Sequence, residues 1–109
     1  MDTWVYFVRA GVRGPIKIGH AKDPISRLRG LQTASPYPLT LLGTVRGGEP
    51  IEKKLHEHLA ADRLLGEWFQ PTEHVLALVN GLLLAEAMRL KGAAVALREW
   101  VPIATEVAA

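Results

Sequence analysis

The chain has 109 residues, 49% hydrophobic and 22% charged, with no cysteine and a net charge of +2. That length supports one buried core rather than two, and the composition is that of a folded globule, which excludes a disordered tail. Without cysteine there is neither a disulfide framework nor a thiolate metal site, and a cytoplasmic setting is expected.

In chain order, "TWVYFVRA" (3–10) is rich in β-branched and aromatic residues and predicts a strand. "GVRG" (11–14) and Pro15 make a turn, and "IKIGH" (16–20) predicts a second strand antiparallel to the first. Asp23-Pro24 reads as a helix start, with an acceptor at the N-cap and proline at the first helical position. That helix should cover about residues 24–33, with Ile25, Leu28 and Leu31 as its buried stripe. "SPYP" (35–38) breaks the chain, and "LTLLGTVRG" (39–47) is a third strand. Pro50 opens a second helix to roughly Ala61, burying Ile51, Leu55 and Leu59 on one face. Gly66 punctuates, "EWF" (67–69) is a short extended segment, and Gln70-Pro71-Thr72 starts a third helix through about Leu90, apolar over a wide arc. The tail, 92–109, has room for another helical turn or two. The order ββαβαα describes an α+β domain: a small three-stranded antiparallel sheet flanked by helices.

Residues 1–48 carry a formal charge of +5 and residues 49–109 carry −3. A basic N-terminal half is what a polyanion-binding face needs, and an unevenly charged solvated surface is the plain alternative. The most apolar run, "VLALVNGLLLAEAM" (75–88), is interrupted by Asn80 and Gly81 and closed by Glu86, so it is too short to span a bilayer and no membrane partner is expected. The opening "MDTWVYFV" has no basic n-region and no small-residue cleavage site, so a secretory signal is not expected.

Four positions suggest chemistry. Tyr6 shares a strand face with Trp4 and Val8, where an ordinary half-buried aromatic is the plain reading. Lys17 stands in an apolar strand; it either snorkels over the sheet edge or, beside a tyrosine hydroxyl, favours the phenolate that a tyrosine base requires. Arg27 borders the apolar stripe of its helix and suits a phosphate gaining charge in a transition state, the alternative being a surface ion pair with Asp23. In "IEKKLHEHL" (51–59), Glu52 and His56 are four apart and share a helix face; one carboxylate with waters and phosphate oxygens is typical of a Mg²⁺ site. His56 and His58 diverge on a helix, which argues against zinc. His20 falls on the strand face opposite Lys17, and an ordinary structural histidine is expected there.

With these residues in place, the sequence resembles a GIY-YIG nuclease domain, and more closely the short phage-associated branch in which the second motif reads KIG. "WVY" (4–6) stands in the place of GIY and "KIG" (17–19) in that of YIG. "DPISRL" (23–28) is similar to the arginine segment, "IEKKLHEHL" to the glutamate helix with its E-x-x-x-H pair, and "GEWF" (66–69) to the element before the last helix. The resemblance divides the chain into a module over 1–80 and a C-terminal helical extension over 81–109. It implies metal-dependent hydrolysis of DNA phosphodiesters, with Tyr6 as general base or water-orienting group, Lys17 as its support and Arg27 as transition-state clamp. Glu52 would ligate one Mg²⁺ or Mn²⁺. His56 would contact the phosphate, shuttle a proton or order Glu52. Arg9, Arg13, Lys22, Arg29 and Arg46 are the candidate DNA contacts. Trp4 replaces the first glycine of GIY and Lys17 the tyrosine of YIG, and the family's late asparagine has no clear counterpart beyond Gln70 or Asn80. Partners implied are DNA, a second copy through the apolar C-terminal helix, and a separate targeting protein or domain. The competing readings are a DNA-binding module that does not cut and a dimerising interaction domain.

Overall fold

The computed structural model describes residues 3–91. β1 (Trp4–Ala10) and β2 (Ile16–Ala21) form a hairpin, followed by α1 (Pro24–Thr33), β3 (Leu39–Arg46), α2 (Glu49–His58), a 3₁₀ turn at Ala60–Asp62, β4 (Arg63–Leu65), β5 (Trp68–Phe69) and α3 (Glu73–Lys91). The strands lie in the order β3-β1-β2-β5-β4 and pair antiparallel throughout. The α+β class expected from the sequence is the one observed, but the sheet has five strands where three are predicted. The additions are three and two residues long. β4 escapes a sequence reading because Leu64 and Leu65 do not alternate with polar residues and both are exposed. Pairing with β5, not burial of a face, makes it a strand.

The helices begin where their caps demand. The Asp23 carboxylate accepts from the Ser26 backbone N–H at 3.1 Å and Pro24 follows, which nucleates α1. Thr72 Oγ1 accepts from Val75 N–H at 3.2 Å and opens α3. Two predicted core residues are displaced. Ile25 is 50% exposed, because the first turn of α1 stands over a gap bounded by Trp4, Leu41 and Thr44 instead of closing on the sheet. Ile51 is 39% exposed and lies over the Gly47 backbone, where a Cβ would fall 2.8 Å from Ile51 Cγ1. Leu55 and Leu59 are buried as expected, and the other buried residue of α2 is Glu52.

Strand alternation divides the apolar residues between two faces. One face carries Val5, Phe7, Ile16, Ile18 and Val45, closed by Leu55 and Leu59 from the α2 side and Val75, Leu76 and Val79 of α3. α3 approaches β3 closely: a Cβ on Gly43 would sit 2.5 Å from Leu83 Cδ2. The other face is smaller, with Tyr6, Val8 and Ala21 covered by Leu28 and Leu31 of α1. No helix among the described residues is long and apolar enough to cross a membrane. The expected helical turns after residue 91 lie outside the described residues.

Candidate active site

The hairpin register sets the geometry. Tyr6 pairs with Gly19 and Val8 with Lys17, so these side chains share the α1 face, while Ile18 and His20 point to the α2 face. Gly19 is the point at which the two faces communicate. A Cβ there would lie 2.4 Å from the Tyr6 hydroxyl and 3.0 Å from Glu67 Oε1. The missing side chain lets a phenol from one face and a carboxylate from the sheet edge meet above one residue.

Arg27 of α1 is the cation whose charge acts on the Tyr6 hydroxyl. Burial raises the Tyr6 pKa above the ordinary phenol range, and the charges of Glu67 and Glu52 push it further up; Arg27 opposes them and loses. The phenol therefore keeps its proton near neutral pH. The expectation that Lys17 stands beside this hydroxyl is not met. Lys17 Nζ donates instead to Glu67 Oε1 at 2.9 Å and lies 5.7 Å from the centre of the Trp68 ring. β5 draws Lys17 towards the sheet edge by pairing Trp68 with it, and Arg27 is the cation that acts on Tyr6.

On the other side stands Glu52, 6% exposed. Its Oε2 is in hydrogen-bond contact with His20 Nδ1, and its Oε1 lies 3.6 Å from His56 Nε2. His56 Nε2 donates to the Ile18 carbonyl at 2.8 Å and its ring sets its edge against Phe69. His56 thus braces α2 on β2 beside the carboxylate. His20 has the strand parity expected of it, and the face opposite Lys17 is the one that holds Glu52. His58 diverges as expected and faces His74, with ring centres 5.4 Å apart.

Glu67 joins the halves. Its carboxylate holds Lys17 and lines the same cleft as Glu52, on which its charge acts. Burial raises the Glu52 pKa, and the neighbouring Glu67 adds to this against the pull of His20. Burial works in the same direction on Glu67, but the hydrogen bond from Lys17 and the charge of Lys17 outweigh it and hold Glu67 below the usual carboxylate range. His20, Glu52, His56, Arg63 and Glu67 line a cleft of about 410 Å³. Tyr6, Lys17 and Arg27 stand around Gly19 at its border rather than in its lining. The sequence reading missed Glu67, His20 and Arg63; for Glu67 the available signal was the acid directly after Gly66 in "GEWF".

The outlying basic residues divide. Arg9 is 4% exposed and donates from Nε to the Gly14 carbonyl at 3.2 Å, so it holds the β1–β2 turn and is corrected from a DNA contact to a structural residue. Arg13, Lys22, Arg29 and Arg46 are exposed, Arg46 with its guanidinium 5.4 Å from the centre of the Trp4 ring. Asn80 lies within α3 and Gln70 just after β5, and neither lines the cleft.

Among the described residues, no group of three or more His, Cys, Asp or Glu side chains is arranged to hold a metal ion. The cleft does hold two carboxylates, Glu52 and Glu67, each also paired with a basic side chain, His20 and Lys17. The family model of the T5orf172 domain, a phage-associated domain related to the GIY-YIG/HNH-like nuclease set, matches residues 3–83. No curated protein and no solved structure matches the chain.

Proposed function

The chain belongs to the T5orf172 domain family, whose members are nuclease-like or DNA-binding, and from that premise we propose that it is a divalent-metal-dependent endonuclease of the GIY-YIG type, in the branch reading KIG, that hydrolyses DNA phosphodiester bonds. The observation carrying this reading is the convergence at Gly19 of the Tyr6 hydroxyl with the Glu67 carboxylate, with the charge of Arg27 acting on the first and Glu52 lining the cleft beside the second.

On this reading each residue has a role. Arg27, exposed and close enough for its charge to act on Tyr6, would turn its N–H donors to a phosphate and offset charge developing on its oxygens. Tyr6 would orient the attacking water; to become its base, the phenol requires the charge of Glu52 and Glu67 to be offset. Glu52 would hold one Mg²⁺ or Mn²⁺, with Glu67 beside it, and that ion when bound would polarise a phosphate oxygen. His56 and His20 order the Glu52 carboxylate. Exposed Arg13, Lys22, Arg29 and Arg46 would contact the DNA backbone, giving weak, salt-sensitive binding with little sequence preference. With DNA as the substrate, the setting would be the cytoplasm and a separate partner or domain would supply targeting.

The test is cleavage of plasmid and branched DNA with Mg²⁺ or Mn²⁺. Glu52→Ala and Arg27→Ala should each lower the rate by about 100- to 1,000-fold without loss of fold. The second reading is a DNA-binding module that does not cut, with which the family match agrees equally. Binding without cleavage under either metal would establish it. Dimerisation through α3 is a weaker reading, since Val75, Leu76, Val79, Leu82 and Leu83 pack against the domain itself and leave Met88 and Leu90 exposed. Neither binding nor cleavage, with a dimer in solution, would favour it.

A further inference from the structure

We propose that Glu67 is a positioning residue of this site, holding the Lys17 ammonium in place and linking it to the cleft that holds Glu52, so that the two faces of the sheet act as one centre. The inference rests on the nuclease reading and deepens it, since that reading leaves Lys17 without a contact to Tyr6.

Four features of the β4–β5 hairpin serve to present this one side chain. Gly66 adopts φ +58°, the left-handed conformation that turns the chain directly before Glu67. Arg63 Nε donates to the Gly66 carbonyl at 2.7 Å and fixes that turn. The Glu67 carbonyl accepts from Ile18 N–H at 3.0 Å, tying the turn to β2 between Lys17 and Gly19. Gln70 N–H donates to the Asp62 carbonyl at 2.7 Å and closes the hairpin at its base. β4 itself buries nothing, all three of its residues being exposed, so its pairing contributes placement rather than core.

The placement is specific to the side chain. Glu67 Oε1 takes Lys17 Nζ at 2.9 Å and lies 3.0 Å from the position a Gly19 Cβ would occupy, next to the Tyr6 hydroxyl. The other end of the network is Glu52, which lines the same cleft as Glu67 and feels its charge. Lys17 belongs to the α1 face and Glu52 to the α2 face, and the Glu67 carboxylate binds the first and shares a cleft with the second.

Four variants test this: Glu67→Gln, which keeps the shape and one acceptor oxygen; Glu67→Ala; Lys17→Ala; and Lys17→Ala combined with Glu67→Ala. Cleavage kinetics are followed together with calorimetric Mn²⁺ titration of each protein. The expected result is a fall in kcat of about 10- to 100-fold for Glu67→Ala, with KM little changed and a smaller fall for Glu67→Gln. The Lys17→Ala/Glu67→Ala protein should cut no more slowly than the slower single variant, as expected of two residues acting through one contact. Mn²⁺ affinity should stay within about threefold of wild type, against the 10- to 100-fold loss typical of losing a supporting group of the metal itself. Independent, multiplying effects of the two alanine substitutions overturn the inference, as does a tenfold loss of Mn²⁺ affinity, which would make Glu67 a metal ligand instead. Both outcomes leave the wild type cutting and so leave the nuclease reading intact. A wild type that does not cut removes that reading, and this one with it.

Discussion

The two faces of the sheet are built to different standards. The face under α2 and α3 holds eleven buried residues and closes over them; the face under α1 holds three, and α1 has no buried residue of its own. Glu52 is anchored on the rigid side by His20 and sits beside His56, whereas Arg27 rides on the lightly held helix. The division teaches that the carboxylate end of the site is fixed by the core. The arginine end is held by a cap and two partly buried leucines. On the proposed reading, a phosphate-binding arm would gain from that freedom and a carboxylate cluster would not, since misplaced buried charge is costly.

Substitutions can break this contrast, starting with the largest effect. Leu76→Ala, in the closed core, should cost about 2–5 kcal/mol in denaturant unfolding, against about 1 kcal/mol for Leu28→Ala under α1, whose side chain is only partly buried. Similar losses at both positions would mean that the faces are equally tight. Gly19→Ala strikes the junction between them. Its Cβ would fall 2.4 Å from the Tyr6 hydroxyl, so we expect a stability loss of about 1–3 kcal/mol and a shift of the Tyr6 ring signals in NMR. Asp23→Ala removes the α1 cap at a cost of about 1 kcal/mol, and amide exchange should quicken in α1 while α2 and α3 keep their protection.

The smallest effect is a pH dependence confined to the tight side. A hydrogen bond from Arg89 holds Glu86 below the usual carboxylate range against the effect of burial, with help from the Arg46 backbone N–H, which donates at 2.8 Å and ties α3 to β3. A carboxylate with a lowered folded pKa contributes fully above its unfolded value of 4.5 and loses that contribution as pH falls through the folded one. Wild-type stability should therefore drop relative to Glu86→Gln below that pH, by about 0.5–1 kcal/mol.

The long elements were legible in the sequence because local chemistry specifies them. Asp23-Pro24 fixes a helix start wherever it is placed, and Tyr6, Lys17, Arg27 and Glu52 stand out as residue types poorly suited to a plain core. Even the parity of His20 could be read from strand alternation, though not what lay across from it. Less was legible where contacts between distant segments decide the outcome. Leu64 and Leu65 form a strand only because Phe69 and Trp68 pair with β4. Arg9 looks like a surface cation until the hairpin turn brings the Gly14 carbonyl to it.

By itself, then, the sequence determined the α+β class, the hairpin, the three helices and most of the residues with unusual chemistry, since propensity, capping and periodicity act within a few residues. The tertiary structure alone decided which of them meet. It moved Lys17 from Tyr6 to Glu67, 50 residues away in the chain, brought His20 to Glu52, and left Gly19 bare so that a tyrosine and two carboxylates could gather at one sheet edge. Each is an encounter between segments that carry no local signal of one another, and the pairing of β5 with β2 sets the one between Lys17 and Glu67.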